Sequence, residues 1–452
     1  MFKKVLIANR GEIARRVIRT CKRLNVLTVA VYSEADAESL HVKEADEAFC
    51  IGKPPVAQSY LNINRILEVA KESGAEAIHP GYGLLSESAE FAKRCTEAGF
   101  VFIGPSADVI ASMGSKLEAR KTMKAAGVPI VEGVETPVKD VTEAIEIASR
   151  LGYPIMLKAS AGGGGIGMQL VENAEGLAKA FEGNQKRAQS FFGDGTMYME
   201  RFIANPHHVE VQIIADHDGN VVPLFERECS IQRRNQKVVE EAPSPFISEE
   251  TRKSMLDASV KAVQHIGYVN AGTIEYLVDA EQNFYFLEMN TRLQVEHPVT
   301  EEITNLDLVE EQLKIAAQQP LAFTRDSIER KGHAIEVRIY AENPSTFFPS
   351  PGTITAFELP TGEGIRHECG VEAGTSVTPF YDPMISKLVV WGETRAIACE
   401  RLIEALKAYK IEGIQTNIPM LLKTVTHEQF LKGYTTTKFV DEYYLPQLAE
   451  TK

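Results

Sequence analysis

The stretch that most constrains this 452-residue chain is Gly272-Thr273-Ile274-Glu275-Tyr276-Leu277-Val278, a polar break over 279–283, then Phe284-Tyr285-Phe286-Leu287-Glu288-Met289-Asn290. Two β-rich runs around a short polar break predict an antiparallel hairpin. With the turn centred between Glu281 and Gln282, Glu275 lies directly across from Glu288, and cross-strand partners share a face. Asn290 joins that face by the two-residue period. Two carboxylates and an amide oxygen converging there suit Mg²⁺ or Mn²⁺, hard cations that take oxygen ligands and keep substrate phosphates in their shell. Like charges set opposite one another repel, so a cation between them gives the arrangement a physical reason. The bland alternative is a solvent-facing strand. Alternation continuing through Arg292, Gln294 and Glu296 predicts that the polar face runs on. Arg292 there offers a planar fork matched to a carboxylate or bicarbonate.

A chain of this length exceeds one ordinary domain, so several domains sharing interfaces are expected. From Val5 the order is strand, the tight loop Asn9-Arg10-Gly11, a helix over 12–24 and a second strand over 26–32, which is βαβ. Short strands over 75–78 and 100–103 flank a helix over 86–98, the first of them ending in His79-Pro80-Gly81-Tyr82-Gly83. Residues 1–113 thus predict an open parallel α/β domain. The first loop lacks the G-x-G-x-x-G fingerprint, so dinucleotide binding is not expected. Helices are predicted over 116–126 and 142–151. A strand ending in Lys158 then meets the richest glycine cluster of the chain, Gly162-Gly163-Gly164-Gly165. Glycines let backbone N–H groups wrap phosphate oxygens, and a lysine at the strand end is a point-charge partner for phosphate. No G-K-[ST] follows, which disfavours a P-loop. Strands dominate over 196–300 and again over 334–340 and 385–391, before a helix over 395–408.

Acidic residues outnumber basic ones, 62 to 48. That balance argues against sequence-independent nucleic-acid binding, whose affinity comes from neutralising phosphates. No apolar run approaches the ~20 residues that span a bilayer. The N-terminal apolar stretch is too short for a signal peptide. Six scattered cysteines without a C-x-x-C pair indicate neither a disulfide framework nor a zinc cluster, and fit a reducing, cytoplasmic setting. His207 and His208 are adjacent, project differently and are not expected to share an ion. The run Gln232-Arg233-Arg234-Asn235-Gln236-Lys237, taken alone, reads as a solvated charged face.

Three motifs together resemble the biotin carboxylase family over nearly the whole chain: Ile7-Ala8-Asn9-Arg10-Gly11-Glu12-Ile13-Ala14, Ala77-Ile78-His79-Pro80-Gly81-Tyr82-Gly83, and Glu288-Met289-Asn290-Thr291-Arg292 with Gln294-Val295-Glu296-His297-Pro298. The resemblance implies an α/β and α+β multidomain fold. Its parts would be an N-terminal parallel pre-ATP-grasp domain (1–113), an ATP-grasp domain (114–330) with a mobile glycine-rich lid over about 131–203, and a C-terminal β-rich domain (331–446). It implies carboxylation of biotin with ATP and bicarbonate through carboxyphosphate. ATP contacts would come from Lys116, Lys158, Gly164, Gly165, the hinge residues Glu200, Arg201, Phe202 and Ile203, and His208 and Gln232, with Asn235 as a neighbour. Metal ligands would be Glu275, Glu288 and Asn290. Lys237, Arg292, Gln294 and the Val295 backbone would hold bicarbonate, Glu296 would be the base, and Arg338 would touch only biotin.

Departures from the family pattern fall at Ile166, where a basic residue is usual, at Asn235, where histidine is usual, and at Leu84, where phenylalanine also occurs. They bear on rate and affinity. No Met-Lys-Met biotinylation site is present, Met123-Lys124-Ala125 being nearest. Biotin is therefore expected on a separate biotin carboxyl carrier protein, with a carboxyltransferase component as a further partner, a homodimeric state, and a place in fatty acid biosynthesis or a related pathway. Two other readings compete. An ATP-grasp carboxylate–amine ligase would share the nucleotide site but not Arg338, and a nucleotide-sensing scaffold would not need Glu296 and Arg292.

Overall fold

The computed structural model describes residues 1–134, 136–160 and 167–450. Near the N-terminus, β1 (Lys4–Ile7), β2 (Leu27–Ser33), β3 (Glu47–Gly52), β4 (Ala77–His79) and β5 (Val101–Phe102) form a parallel sheet in the order β3-β2-β1-β4-β5. Val5, Leu6 and Ile7 on the central strand are fully buried, as a strand covered on both faces requires. Sequence periodicity missed β3 because it is an edge strand with mostly half-buried side chains and no clean alternation. The motifs around Asn9 and Gly81 pack on each other. Asn9 Nδ2 donates to the carbonyls of Pro80 (2.7 Å) and Tyr82 (2.8 Å). Gly81 sits at φ +63°, and a Cβ there would lie 2.8 Å from Asn9 Nδ2, so this contact needs glycine.

The next layer is a small antiparallel sheet of β6 (Ile155–Ala159), β7 (Met168–Val171) and β8 (Met197–Arg201), in the order β7-β6-β8. Helices Val141–Leu151 and Ala174–Phe192 cover it. Ile147, Leu157, Leu177, Phe181 and Met199 close a hydrophobic core of its own.

Most of the remaining strands join one antiparallel sheet: β9 (His207–Ala215), β10 (Val221–Arg233), β11 (Gln236–Ala242), β12 (Asn270–Val278), β13 (Phe284–Asn290), β14 (His333–Tyr340) and, further on, β17 (Ile365–Cys369) and β19 (Met384–Gly392). Between them lie the short strands β15 (Gly352–Thr353), β16 (Ala356–Glu358) and β18 (Ser376–Val377), with β20 (Lys410–Glu412) near the end. The large sheet runs β13-β12-β9-β10-β11-β14-β19-β17. Its β11–β14 pairing crosses position 330, so residues on both sides of that point share one hydrogen-bonded sheet. Helices Arg395–Ala408 and Ile418–Val425 pack their apolar faces on the far end. The parallel N-terminal sheet and the β-rich C-terminal region are as expected, and the strands of the latter pair antiparallel.

A buried arginine ties the first layer to the rest. Arg16, 1% exposed, reaches from helix Gly11–Arg23 to Glu301 at 2.6 Å and Asp307 at 2.8 Å. Arg16→Met keeps the apolar stem but removes the buried cation that Glu301 and Asp307 share, leaving Glu301 with Arg366 as its cation. Because removing one partner of a buried ion pair destabilises even where a second cation remains, the thermal transition of the variant should fall below that of the parent chain. Differential scanning calorimetry of both proteins is the check, and equal transitions would show that this contact is not a structural tie.

Candidate active site

A cleft of about 440 Å³ lies between the small sheet, the β9–β13 face and β14. Lys116, Lys158, Glu200, Arg201, Phe202, Ile203, His208, Gln232, Asn235, Lys237, Glu275, Glu288, Asn290, Arg292, Gln294, Val295, Glu296 and Arg338 all line it. Gly164 and Gly165, with Ile166, lie outside the described residues.

Register builds the middle of the cleft. Glu210 of β9 pairs with Glu275 of β12, and Glu275 with Glu288 of β13, so three carboxylates stand in a row across the sheet. The Glu275–Glu288 pair occurs as the sequence predicts, although the turn is centred on Glu281. Tyr276 pairs with Phe286, and a register shift beside Glu275 restores the alignment. Such a row would repel without counter-charge. Lys237 supplies it, its Nζ donating to Glu210 (2.5 Å), Glu275 (2.8 Å) and Glu296 (2.7 Å). Burial works to lower the lysine pKa, but the three glutamates overcome this and raise it well above its usual range. The run 232–237 is therefore only partly a solvated face: Arg234, Asn235 and Gln236 are exposed, whereas Gln232, Arg233 and Lys237 turn inward. Arg234 (φ 50°) and Asn235 (φ 63°) form the tight left-handed turn between β10 and β11 that aims Lys237 inward. Asparagine tolerates that backbone well, which suits position 235.

The expected polar strand face beyond Asn290 does not form. β13 ends at Asn290, and Glu296 (φ −83°, ψ 12°) instead precedes helix His297–Thr304 as its N-cap. Pro298 in the first turn favours helix over strand there. The turn still delivers Glu296 to the cleft, where Lys237 and Arg338 grip it, Arg338 Nη2 at 2.9 Å from Oε2. Arg338 was expected to stand apart from Glu296 and touch only biotin. It bridges Glu296 and Glu240 instead, because β14 lies beside β11 in the sheet. Burial acts to raise the Glu296 pKa, but Lys237, Arg338 and Arg227 hold it far below the usual carboxylate range. Glu240, buried beside Arg338, is pushed up to about 7 by desolvation. Arg292 donates to Asn290 Oδ1 (2.7 Å) and lies 3.4 Å from Glu87.

Toward the small sheet, Lys158 and Arg120 both meet Glu200, Arg120 at 2.7 Å. Burial lowers the Lys116 pKa, with Glu288 opposing. Phe202, Ile203, Met156, Met168, Leu277 and Leu287 give this end an apolar lining suited to a flat ring, with lysines beside it for phosphates.

A divalent cation fits the donor set around Glu288. Its carboxylate makes no hydrogen bond among the described residues, and burial together with the neighbouring Glu275 raises its pKa. Glu275 is more engaged than the sequence suggested. Its Oε1 accepts from Lys237, Asn290 and Gln294, and its Oε2 lies 2.9 Å from His208 Nε2. The ligand atoms of His208, Glu210 and Glu275 also cluster within 4.8 Å, but Lys237 already serves as the cation there.

Sequence reasoning missed Glu210, Arg227, Glu240 and Lys387. Arg227, fully buried, donates to Glu210 (2.6 Å), Gln212 (2.6 Å), Thr300 (2.9 Å) and Gln294 (2.7 Å). One signal was available: His208, Glu210 and Gln212 alternate with Val209, Val211 and Ile213, a polar period of two inside an apolar strand.

Family models agree with this layout: "Biotin carboxylase, N-terminal domain" matches residues 1–110, "Carbamoyl-phosphate synthase L chain, ATP binding domain" 115–324, and "Biotin carboxylase C-terminal domain" 336–442. A biotin carboxylase of Halalkalibacterium halodurans is 64% identical over 98% of both chains. This chain belongs to the biotin carboxylase family. A pyruvate carboxylase component of Methanothermobacter thermautotrophicus is 52% identical over 98% of this chain and 90% of its own length. Among solved structures, the biotin carboxylase domain of the Hydrogenobacter thermophilus 2-oxoglutarate carboxylase superposes with a TM-score of 0.96 at 49% identity, covering 98% of each chain. That protein was solved as a dimer with MgADP, ADP and bicarbonate.

Lys237→Met removes the cation shared by three carboxylates. The low pKa values of Glu275 and Glu296 mean their stabilisation is present at neutral pH and lost in acid. Without Lys237 both pKa values rise, and by pH 5 protonation relieves part of the repulsion. The melting-temperature gap between parent and variant should therefore be wider at pH 8 than at pH 5, as read by thermal unfolding at the two pH values. A gap that is constant or wider at pH 5 would contradict the charge assignment.

Proposed function

We propose that this chain carboxylates biotin with bicarbonate at the expense of ATP, giving carboxybiotin, ADP and phosphate. The observation that carries the proposal is the joining of two chemistries in one cleft. A ring-and-phosphate end with Lys116 and Lys158 opens directly onto an anion end with Arg292, Glu296 and Arg338. A carboxylate–amine ligase would not need Arg338, which is held at the anion end by Glu240 and Glu296.

In this reading Glu288, Glu275 and Asn290 would hold Mg²⁺ or Mn²⁺, which would supply positive charge against the ATP phosphates. Lys116, Lys158, Gly164, Gly165, the 200–203 segment, His208, Gln232 and Asn235 receive the nucleotide. Arg292, Lys237, Gln294 and the Val295 N–H hold bicarbonate, and Glu296 Oε accepts its proton. A bicarbonate oxygen attacks the γ-phosphorus, the bond to ADP breaks, and the resulting carboxyphosphate splits into CO₂ and phosphate. Phosphate takes the biotin N1′ proton, N1′ attacks CO₂, and Arg338 stabilises the negative ureido oxygen, a task suited to a fixed cation in a closed site.

Biotin arrives on a separate biotin carboxyl carrier protein, and a carboxyltransferase component takes the product onward. The 52% identical relative is named for pyruvate and the Hydrogenobacter protein for 2-oxoglutarate, which supports a site built for biotin rather than for the final acceptor. The dimer of the Hydrogenobacter protein supports a homodimer here. No helix among the described residues is long and apolar enough to cross a membrane, and the unpaired cysteines agree with a cytoplasmic site of action.

The purified chain should release ADP slowly until bicarbonate and free biotin are both present, as measured by a coupled assay with each component omitted in turn. Full-rate turnover without biotin would overturn the assignment.

Two variants separate the half-reactions. Glu296→Gln should lower bicarbonate-dependent ADP release by ~10²–10⁴-fold, the usual contribution of a general base. Arg338→Ala should lower carboxybiotin formation by ~10²-fold, the scale for losing one electrostatic donor. Its contact with Glu296 means that ATP cleavage drops as well, but by a smaller factor. Labelled bicarbonate and ADP release read both products in one assay. Equal loss of both in Arg338→Ala would place that arginine in the ATP step.

A further inference from the structure

On the β14–β19 pair, Arg338 lies directly opposite Lys387. Like charges so placed repel, yet the Arg338 side chain is only 11% exposed and Lys387 not at all. The two cations reach different atoms of one turn. Arg338 holds the Glu296 carboxylate, while Lys387 Nζ donates to the Val295 carbonyl at 2.6 Å. The other partner of Lys387 is Glu12, 3.3 Å away on helix Gly11–Arg23, and the Tyr82 hydroxyl donates to the same Glu12 oxygen. Three distant segments thus meet at one ammonium beneath the catalytic turn. Lys387 is not among the residues lining the cleft, and the proposed chemistry leaves it without a task.

We propose that Lys387 is a positioning residue: by anchoring the Val295 carbonyl, it fixes the direction from which Glu296 presents its carboxylate to bicarbonate. The inference rests on the reading of Glu296 as the base. The Val295 carbonyl and the Glu296 N–H belong to one planar peptide unit, so holding the oxygen orients the plane from which the Glu296 side chain departs. Between β13 and helix His297–Thr304 that carbonyl has no ladder to join, and a buried carbonyl without a partner is costly. An ammonium donor makes the bond charge-assisted and therefore stiff. The preceding carbonyl, that of Gln294, is fixed as well, by His297 Nδ1 at 2.8 Å. Both peptides leading into Glu296 are thus pinned, one by the sheet and one by the helix that follows.

Steady-state kinetics of Lys387→Met test the proposal. The substitution keeps a linear side chain of similar length and removes the donor. Turnover should fall by ~10²-fold, the loss that ~1 Å of misplacement causes, while KM for ATP stays unchanged because the nucleotide end is untouched. Lys387→Arg, which retains a cationic donor, should recover part of the turnover. Parent-like turnover in folded Lys387→Met overturns the proposal, and so does an equal rise in KM for ATP, which would mark a general structural role. If Lys387→Met does not fold, Glu12→Gln decides, since it removes the counter-charge that aims the ammonium. A fall in turnover with KM for ATP unchanged supports the proposal, and parent-like turnover rejects it. Glu296→Gln, assayed alongside, separates the two claims. Full activity there defeats the base assignment itself, whereas an inactive Glu296→Gln beside a normal Lys387→Met defeats only the positioning role.

Discussion

The acidic centre of the cleft depends on one buried ammonium shared by three carboxylates. Two unit charges 4 Å apart interact by about 4 kcal/mol at the effective dielectric of a protein site, so a row of unneutralised glutamates across a sheet could not persist. Lys237 neutralises two members of that row, Glu210 and Glu275, and links them to Glu296 in an alternating chain of charge. Arg227 holds Glu210, Glu210 holds Lys237, Lys237 holds Glu296, Glu296 holds Arg338, and Arg338 holds Glu240. Each link lies on a different strand or turn from the next, so the chain fixes the relative placement of β9, β10, β11, β14 and the 294–296 turn. Buried ion pairs of this kind add little net stability, but removing one member is expensive. Their effect is to specify one arrangement.

The sheet makes the alternation possible. Register brings Glu210, Glu275 and Glu288 into line across three strands, and the tight turn at Arg234 and Asn235 returns the chain so that Lys237 points back over them. On the other side, β11 pairs with β14 and β14 with β19, bringing Glu240, Glu336, Arg338 and Lys387 to one buried face. A single continuous sheet thus carries both the carboxylates proposed to hold the metal and the arginine assigned to biotin.

How much of this was legible in the sequence depended on range. The Glu275–Glu288 pairing is a local property of a hairpin and could be read directly, although the turn centre could not, because the register shift beside Glu275 leaves no signal in residue type. The 291–296 segment was misread. Its alternation of polar and apolar residues matches a strand, yet Pro298 and the helix behind it turn the chain, and the same side chains reach the cleft by another route. Lys237 looked like a surface charge because its three partners lie 27, 38 and 59 residues away. No window of sequence contains them. Lys387 is the extreme case, a lysine in an apolar strand whose partners come from Val295 and Glu12.

Two glutamates in this cleft are driven apart by their surroundings, a common way for one site to hold two roles. Glu288 is buried and has a like charge across the strand, so its pKa rises and a bound cation would relieve it. Glu296 has three cations around it and stays ionised far into the acid range. A carboxylate held that low is a weak proton acceptor for as long as Lys237 and Arg338 both face it. In the proposed reaction, bicarbonate is an anion that competes for those same cations. A Lys237 ammonium drawn toward bicarbonate would depress the Glu296 pKa less and so leave a stronger base. Substrate binding and activation of the base are then one event, and the rigid backbone beneath Glu296 keeps its carboxylate in place while its charge partners change.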